Sequence, residues 1–216
     1  WDVLLTANRP VPKRWFPPLR GCDLLGLACG GGQQGPVFAA LGARVTILDN
    51  SPRQLARDRE TAEREDLAIQ LVEGDMRDLS AFSSGSFDLV FHPVSNCFIH
   101  EIGPVWREVF RVLRPGGILM AGFNNPAIYL FDWRKAEQGS FEVRHALPFD
   151  PRTFSAEALE YEFGDDAPLE FSHSLEDQIG AQLNAGFLLT DLFEDTQSDP
   201  LGGLMPTFIA TRAIKP

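Results

Sequence analysis

A glycine-rich segment follows a short apolar run near the start of the chain. Residues 23–28 lead into Cys-Gly-Gly-Gly-Gln-Gln-Gly, in which Gly30, Gly32 and Gly35 fit the spacing G-x-G-x-x-G of dinucleotide-binding loops. Glycines let the backbone turn sharply and approach a ligand without a Cβ clash. A helix that follows such a loop offers free N–H groups to a polar or anionic group. The segment therefore predicts a ligand-binding loop.

Two aspartates follow the next two apolar runs. Asp49 comes directly after residues 44–48, and Asp75 comes shortly after residues 69–73. A carboxylate at the first position can accept hydrogen bonds from two ribose hydroxyls, which predicts a cofactor with a free ribose. A carboxylate at the second position can accept one from the exocyclic amine of adenine, while Met76 packs on the ring. A solvated acid and a helix N-cap are the alternative readings.

These residues belong to an alternating pattern that predicts five βα units. The predicted strands are residues 23–28, 44–48, 69–73, 86–91 and 118–123, and the predicted helices are 36–41, 52–65 and 104–113. Alternation of this kind predicts a mostly parallel, doubly wound sheet with helices on both faces. Ligands bind such sheets beyond the carboxyl ends of the strands, where the glycine loop and both aspartates fall.

The pattern changes after residue 123. Residues 124–172 are rich in aromatic residues, prolines and acids, and they predict an insertion or lid with a strand around residues 141–147. The acids between residues 157 and 170 predict a solvated face.

Helical spacing returns at residues 174–185, with a predicted capping box of Ser174 and Asp177. Residues 187–193 and 207–213 predict two strands that pair antiparallel, because no helix fits between them. The expected architecture is a single domain over residues 1–216. Its fold class is α/β, a Rossmann-like seven-stranded sheet, mostly parallel with one antiparallel C-terminal strand.

Composition limits the classes of partner. The formal net charge is −11, which argues against binding to nucleic acid. No apolar run is long enough to suggest a membrane span, so no membrane partner is expected. Three cysteines without metal spacing indicate free thiols in a reducing compartment, and we expect a cytoplasmic protein without a metal site.

Taken together, the motifs resemble the class I S-adenosylmethionine-dependent methyltransferases. The matching segments are LACGGG at 27–32, Asp49, GDM at 74–76, FDLVFHP at 87–93 and RVLRPGG at 111–117. The resemblance is strong over residues 23–123 and moderate over 174–213. It implies S-adenosylmethionine as the methyl donor, S-adenosylhomocysteine as its product, and a small-molecule acceptor.

The resemblance also assigns roles to residues. The implied cofactor-binding residues are Ala28, Cys29, Gly30, Gly32, Gln33, Gln34, Asp49, Asn50, Gln54, Asp75, Met76, His92, Pro93 and Val94. The substrate side is expected to include Ser95, Asn96, Asn124 and Tyr129, with His92 as the candidate general base.

Two features depart from the family pattern. Gly26 stands where the family usually has an acid, so recognition of the cofactor's amino group is expected to be rearranged, with Gln33 or Gln34 involved. The N-terminal helix that the family folds over its cofactor is expected to be short or absent. Two alternatives remain at this point, an NAD(P)-linked oxidoreductase and a non-catalytic S-adenosylmethionine-binding protein. The expected assembly is a monomer or a homodimer.

Overall fold

The computed structural model describes residues 1–165 and 167–216. Its strands are β1 (Asp23–Leu27), β2 (Arg44–Asp49), β3 (Ile69–Glu73), β4 (Phe87–His92), β5 (Leu113–Asn124), β6 (Leu188–Asp195) and β7 (Phe208–Ile214). Its α-helices are α1 (Gln34–Ala40), α2 (Pro52–Arg64), α3 (Gly103–Val112), α4 (Trp133–Glu137), α5 (Ala156–Phe163) and α6 (Ala181–Asn184).

All seven strands form one sheet in the order β3-β2-β1-β4-β5-β7-β6. The pairs among β1 to β5 are parallel, whereas β7 runs antiparallel to both β5 and β6. This topology confirms the predicted fold class, including the antiparallel terminal pair. The order reverses direction between β1 and β4, which puts the topological switch point at their carboxyl ends.

Two hydrophobic cores cover the faces of the sheet. Neighbouring residues on a strand point to opposite faces, so Leu24 packs with α1 and α2 residues such as Phe38, while Leu25 packs with α3 residues such as Trp106. Both leucines are fully buried. Because both faces of β1 are covered, its side chains are apolar throughout its buried length, as the sequence predicted.

The prediction of a strand over residues 141–147 is wrong. That segment forms a single bridge, between Phe131 and Val143, and its hydrophobic side chains are mostly exposed. The predicted helix at 174–185 has the expected capping box, in which Ser174 Oγ accepts from Asp177 N at 3.0 Å. Its first part, Glu176–Gly180, is a π-helical turn that leads into α6.

Residues 124–172, called the insertion below, have their own polar framework. Asp132 is buried and accepts hydrogen bonds from the Tyr161 hydroxyl at 3.0 Å and from Arg144 Nη1 at 2.9 Å. The Arg144 guanidinium also lies over the Tyr161 ring, 3.9 Å from its centroid. These contacts join α4, α5 and the irregular chain between them into one unit beyond the carboxyl ends of β4 and β5.

The N-terminal residues 3–11, called the strap below, lie against the sheet and fold back on themselves, with a bridge between Leu4 and Pro10. Leu5 is buried, and its carbonyl oxygen accepts from Val94 N at 3.1 Å. Asp195 holds the strap from the other side, accepting from Thr6 Oγ1 at 2.7 Å and from Asn8 N at 2.8 Å. Among the described residues, the N-terminal region thus contains the folded strap and one short 3₁₀ turn, Lys13–Trp15, before β1 begins.

Gly122 on β5 makes the close approach of the strap possible. A Cβ added there would overlap the Leu5 carbonyl group. We expect Gly122→Ala to lower the free energy of unfolding by about 2 kcal/mol or more, because backbone atoms must move to admit the methyl group. Urea denaturation measures the change. Gly180→Ala is the matched control and keeps wild-type stability, because its Cβ meets nothing closer than 3.5 Å; equal stability of both variants would contradict the docking of the strap.

Candidate functional site

The loop between β1 and α1 has the backbone geometry that its glycines predict. Ala28 has a φ of 46°, and Gly31 and Gly32 have φ values of 127° and 74°. A Cβ on Gly30 would lie 2.8 Å from Gln54 Cβ, and one on Gly32 would lie 2.8 Å from a backbone oxygen. The loop therefore requires glycine at these positions, and it holds Ala28 in a conformation that is typical of functional sites.

Two buried carboxylates anchor this loop. Asp49, at the end of β2, accepts from Gly30 N and from Ser51 N, both at 2.9 Å. Asp58 on α2 accepts from Gly31 N at 2.8 Å. Burial raises the pKa of Asp58, although N–H donors from the loop oppose that shift. Its Oδ1 atom is buried without a hydrogen-bond partner among the described residues.

Sequence reasoning missed Asp58. The helical spacing of Leu55, Asp58 and Ala62 could have indicated it, because these residues form one buried stripe on α2. An acid in such a stripe requires a hydrogen-bond partner. Gly26 explains why the acid lies there. A Cβ at Gly26 would be 2.5 Å from Ile47 Cδ1, so a carboxylate at the family position would require Ile47 to move. In this chain an acid on α2, rather than one on β1, binds the loop.

The other predicted residues of the loop differ in exposure. Gln33 is exposed, whereas Gln34 reaches the strap, where its Nε2 donates to Leu4 O at 3.4 Å. Asn50 is exposed beside Asp49. The Cys29 thiol is buried, and burial raises its pKa well above the ordinary value, so it remains a neutral thiol.

The second predicted aspartate lies after β3. Asp75 accepts from Arg77 N at 2.8 Å and from Arg77 Nε at 3.0 Å, and this hydrogen bonding lowers the pKa of its carboxyl group. Met76 is buried in the core on the α3 side of the sheet. The Asp75 carboxylate is thus ionised, and it lies at the carboxyl edge of β3. Its hydrogen bond to adenine stays a prediction.

His92, at the end of β4, is fully buried with both ring nitrogens engaged. Its Nδ1 lies 2.8 Å from Leu27 O, and its Nε2 contacts the Asn96 side-chain amide, which in turn contacts Gln178 at 2.8 Å. Burial lowers the pKa of His92, whereas its contacts with the Leu27 carbonyl and the Asn96 amide oppose that shift. Both nitrogens thus contact groups of the protein, and the role of His92 as a general base stays a prediction.

Buried histidines with lowered pKa values make the free energy of unfolding depend on pH. Burial also lowers the pKa of His173, whose Nε2 lies 2.9 Å from Ile99 O. Below a pH of about 6.5 the unfolded chain binds protons that these native histidines do not, so the free energy of unfolding falls as pH falls. Protonation of Asp58 in the native state offsets part of this loss.

We therefore expect the double variant His92→Gln/His173→Gln to show a weaker loss of stability than wild type between pH 7.5 and 5.5. The difference in slope is up to about 1 kcal/mol per pH unit for each histidine. Urea denaturation across that range measures it, and His100→Gln, at an exposed position, is the control. Parallel slopes for wild type and the double variant would contradict buried, neutral histidines.

A cavity of about 480 Å³ lies under the insertion, beyond the carboxyl ends of β4 and β5. This size is in the range of small-molecule sites. Seven aromatic side chains line it, namely Phe98, Tyr129, Phe131, Trp133, Phe149, Phe163 and Phe208. Of the residues predicted for the substrate side, Asn124 and Tyr129 line the cavity, whereas Ser95 and Asn96 are buried beneath it. Val94, predicted for the cofactor side, also lines the cavity, and Pro93 beside it is half-buried.

Three polar residues of the cavity, Asn124, Tyr129 and Glu170, form one chain of hydrogen bonds. Asn124 Nδ2 donates to the Tyr129 hydroxyl at 2.7 Å, and that hydroxyl donates to Glu170 Oε2 at 2.8 Å. Burial and the neighbouring Glu170 carboxylate raise the pKa of Tyr129 well above its ordinary value. Burial likewise raises the pKa of the Cys97 thiol, to about 12. The prediction that the acids of residues 157–170 form a solvated face is thus wrong for Glu162 and Glu170, which both line the cavity. Asp166 lies outside the described residues.

Known proteins resemble both the fold and the site. A model of a methyltransferase domain matches residues 25–121. The Bacillus subtilis (strain 168) protein YbaJ, called an uncharacterized methyltransferase, is 48% identical over 216 residues, which are all of this chain and 85% of that protein. The chain belongs to the methyltransferase family. A Synechocystis methyltransferase, sll0829, is 37% identical over 117 residues, which are 51% of each protein.

Solved methyltransferases have the same fold. The crystal structure of an S-adenosylmethionine-dependent methyltransferase from Mesorhizobium loti superposes with a TM-score of 0.72 at 21% identity, covering 94% of each chain. The family assignment confirms the resemblance found in the sequence and favours methyl transfer over the oxidoreductase alternative. The match to the domain model ends at residue 121, so most residues that line the cavity lie outside the matched range.

No helix in residues 1–165 and 167–216 is long and apolar enough to cross a membrane. The same residues contain no group of three or more histidine, cysteine, aspartate or glutamate side chains arranged to hold a metal ion.

Proposed function

We propose that this methyltransferase transfers the methyl group of S-adenosylmethionine to a small molecule bound in the aromatic cavity. One observation carries the proposal. The glycine loop, Asp49 and the cavity all lie at the carboxyl edge of one sheet, around the switch point between β1 and β4. The domain match over residues 25–121 and the Mesorhizobium loti structure support it.

On the donor side, the chain's residues fit an adenosine-containing cofactor. Gly30 and Gly32 keep the loop free of side chains, and Asp49 offers a carboxylate beside it. We assign the ribose to Asp49, and the remaining predicted cofactor contacts stay part of this proposal. Asp58 would hold the loop amides in place by accepting their hydrogen bonds. Gly26 has no side chain that could do so.

On the acceptor side, the insertion covers part of the cavity. S-Adenosylmethionine supplies an electrophilic methyl group when bound. The chain's own residues would align the acceptor and exclude water, which is the main requirement of an in-line displacement. With both nitrogens of His92 engaged, the linked Tyr129 and Glu170 groups are the better candidates to hold an acceptor proton.

The proposal extends to the setting of the protein. The net charge of −11 supports a small, uncharged or cationic acceptor rather than a nucleic acid. Three cysteines, all free and buried, are compatible with a reducing cytoplasm. We propose a monomer or a homodimer in that compartment.

Turnover with labelled donor tests the proposal. The protein is incubated with a metabolite extract and S-adenosylmethionine that carries a ¹³C-methyl group, and mass spectrometry detects labelled products. We expect at least one metabolite to gain one labelled methyl group, and Asp49→Ala to abolish the gain. Tight cofactor binding without any labelled product across a broad metabolite panel would favour the non-catalytic alternative.

A further inference from the structure

We propose that the acceptor carries a positively charged amine, which Glu170 binds between the aromatic rings of the cavity. This inference rests on the proposed function and specifies its acceptor. The cavity combines a wall of seven aromatic side chains with a carboxylate inside it. Apolar walls alone would suit any greasy molecule, so the charge in the cavity decides the class of ligand.

Three carboxylates line the cavity, and one of them is paired with cationic side chains. Glu162 pairs with Arg144 Nε at 3.0 Å and with His145 Nε2 at 2.9 Å. Asp199 accepts from the backbone N–H of Gly202 at 2.7 Å and forms no ion pair among the described residues, so it adds to the negative charge of the cavity. Among the described residues, Glu170 forms no ion pair, and no arginine, lysine or histidine lines the cavity. Glu170 therefore contributes an uncompensated negative charge.

Hydrogen bonding fixes the orientation of that charge. The Tyr129 hydroxyl donates to Glu170 Oε2 at 2.8 Å while it accepts from Asn124. No donor among the described residues binds the other oxygen, Oε1, which leaves it as an acceptor for a ligand. Glu170 is half-buried, and a carboxylate held in place beside aromatic rings attracts a cation into the cavity.

The aromatic rings favour the same ligand charge. A ring face attracts a cation within about 6 Å, most strongly where water is excluded. An ammonium group on an apolar body would satisfy both Glu170 and the rings. An anionic acceptor would instead meet the Glu170 carboxylate and the net charge of −11.

Matched pairs of amines and acids test this inference on the intact protein saturated with S-adenosylhomocysteine. The probes are phenethylamine and 3-phenylpropionate, tryptamine and indole-3-propionate, and hexylamine and hexanoate. Each pair shares an apolar body and differs in the sign of its charge. Ligand-observed NMR titration gives the affinities, and we expect the amine to bind at least about tenfold more tightly than its acid in at least one pair.

Glu170→Gln identifies the residue responsible. The amide oxygen of glutamine can still accept from Tyr129, so the variant keeps the fold, which its melting temperature checks. We expect it to bind amine and acid within about threefold of each other, because the charged partner is gone. Glu137→Gln removes the same charge from an exposed position on α4 outside the cavity, and it keeps the wild-type preference.

The outcomes separate this inference from the proposed function. A wild-type protein that binds S-adenosylhomocysteine but shows no amine preference in any pair overturns the cation site alone. So does a Glu170→Gln variant that keeps the full preference. A protein that binds no S-adenosylhomocysteine contradicts the proposed function, whatever the amine titrations give.

Discussion

Asp49→Ala lowers the affinity of the protein for S-adenosylhomocysteine by about 10- to 100-fold, the scale of lost hydrogen bonds to a charged group. The carboxylate ends β2 and accepts from Gly30 N and Ser51 N, each at 2.9 Å. Its removal takes away the proposed ribose acceptor and also releases the glycine loop at its first anchor. Isothermal titration calorimetry measures the affinity.

Two further variants make the Asp49 result specific. Glu63→Ala removes one carboxylate from the exposed side of α2, and it keeps wild-type affinity. Asp49→Asn keeps one acceptor oxygen but loses the charge, so we expect an intermediate affinity. Wild-type affinity in Asp49→Ala, with the fold intact, would show that the ribose assignment is wrong.

Gly26→Asp restores the acid of the family pattern, yet it destabilises the protein by about 3 kcal/mol or more and does not improve cofactor binding. The new Cβ would lie 2.5 Å from Ile47 Cδ1 in the centre of the sheet, and the carboxylate would be buried there without a partner. Urea denaturation gives the change in free energy, and calorimetry gives the affinity for S-adenosylhomocysteine.

A rescue experiment separates the steric cost at Gly26 from the cost of charge. Gly26→Ala adds only the clash, and Ile47→Val removes the Cδ1 atom that causes it. We expect Gly26→Ala/Ile47→Val to be more stable than Gly26→Ala, whereas Ile47→Val does not rescue Gly26→Asp. A Gly26→Asp protein as stable as wild type, with tighter cofactor binding, would contradict the view that Asp58 replaces the missing acid.

The parallel sheet was predictable because its signals are local. Apolar runs such as residues 44–48 alternate with helical spacing, and short glycine or proline turns separate them. The antiparallel terminal pair followed from loop length alone, since no crossover helix fits between residues 193 and 207. Asp49 could be placed at the carboxyl edge for the same reason, as it directly ends an apolar run.

The insertion was less predictable because distant residues determine its structure. Residues 141–147 contain apolar and charged residues at a strand-like spacing, but a single bridge and the Asp132–Arg144–Tyr161 contacts hold that segment instead. No local pattern reports such pairings. Glu170 was assigned to solvent for the same reason, since its partner Tyr129 is far away in the chain.

The role of His92 shows a different limit. Its position at a strand end indicated a functional side chain, and the structure does put it at the switch point. The contacts that occupy its ring come from Leu27 on β1 and, through Asn96, from Gln178 on the π-helical turn. Sequence spacing cannot show whether a histidine faces a ligand or a buried amide, so these contacts could not be predicted.

Calorimetric titration with S-adenosylhomocysteine and, separately, with NAD⁺ tests the central claim most directly. The glycine loop and Asp49 alone would suit either nucleotide, so the comparison discriminates between them. We expect the protein to bind one S-adenosylhomocysteine per chain, with lower affinity in Asp49→Ala. We expect no measurable heat from NAD⁺. Binding of NAD⁺ without binding of S-adenosylhomocysteine would contradict the central claim.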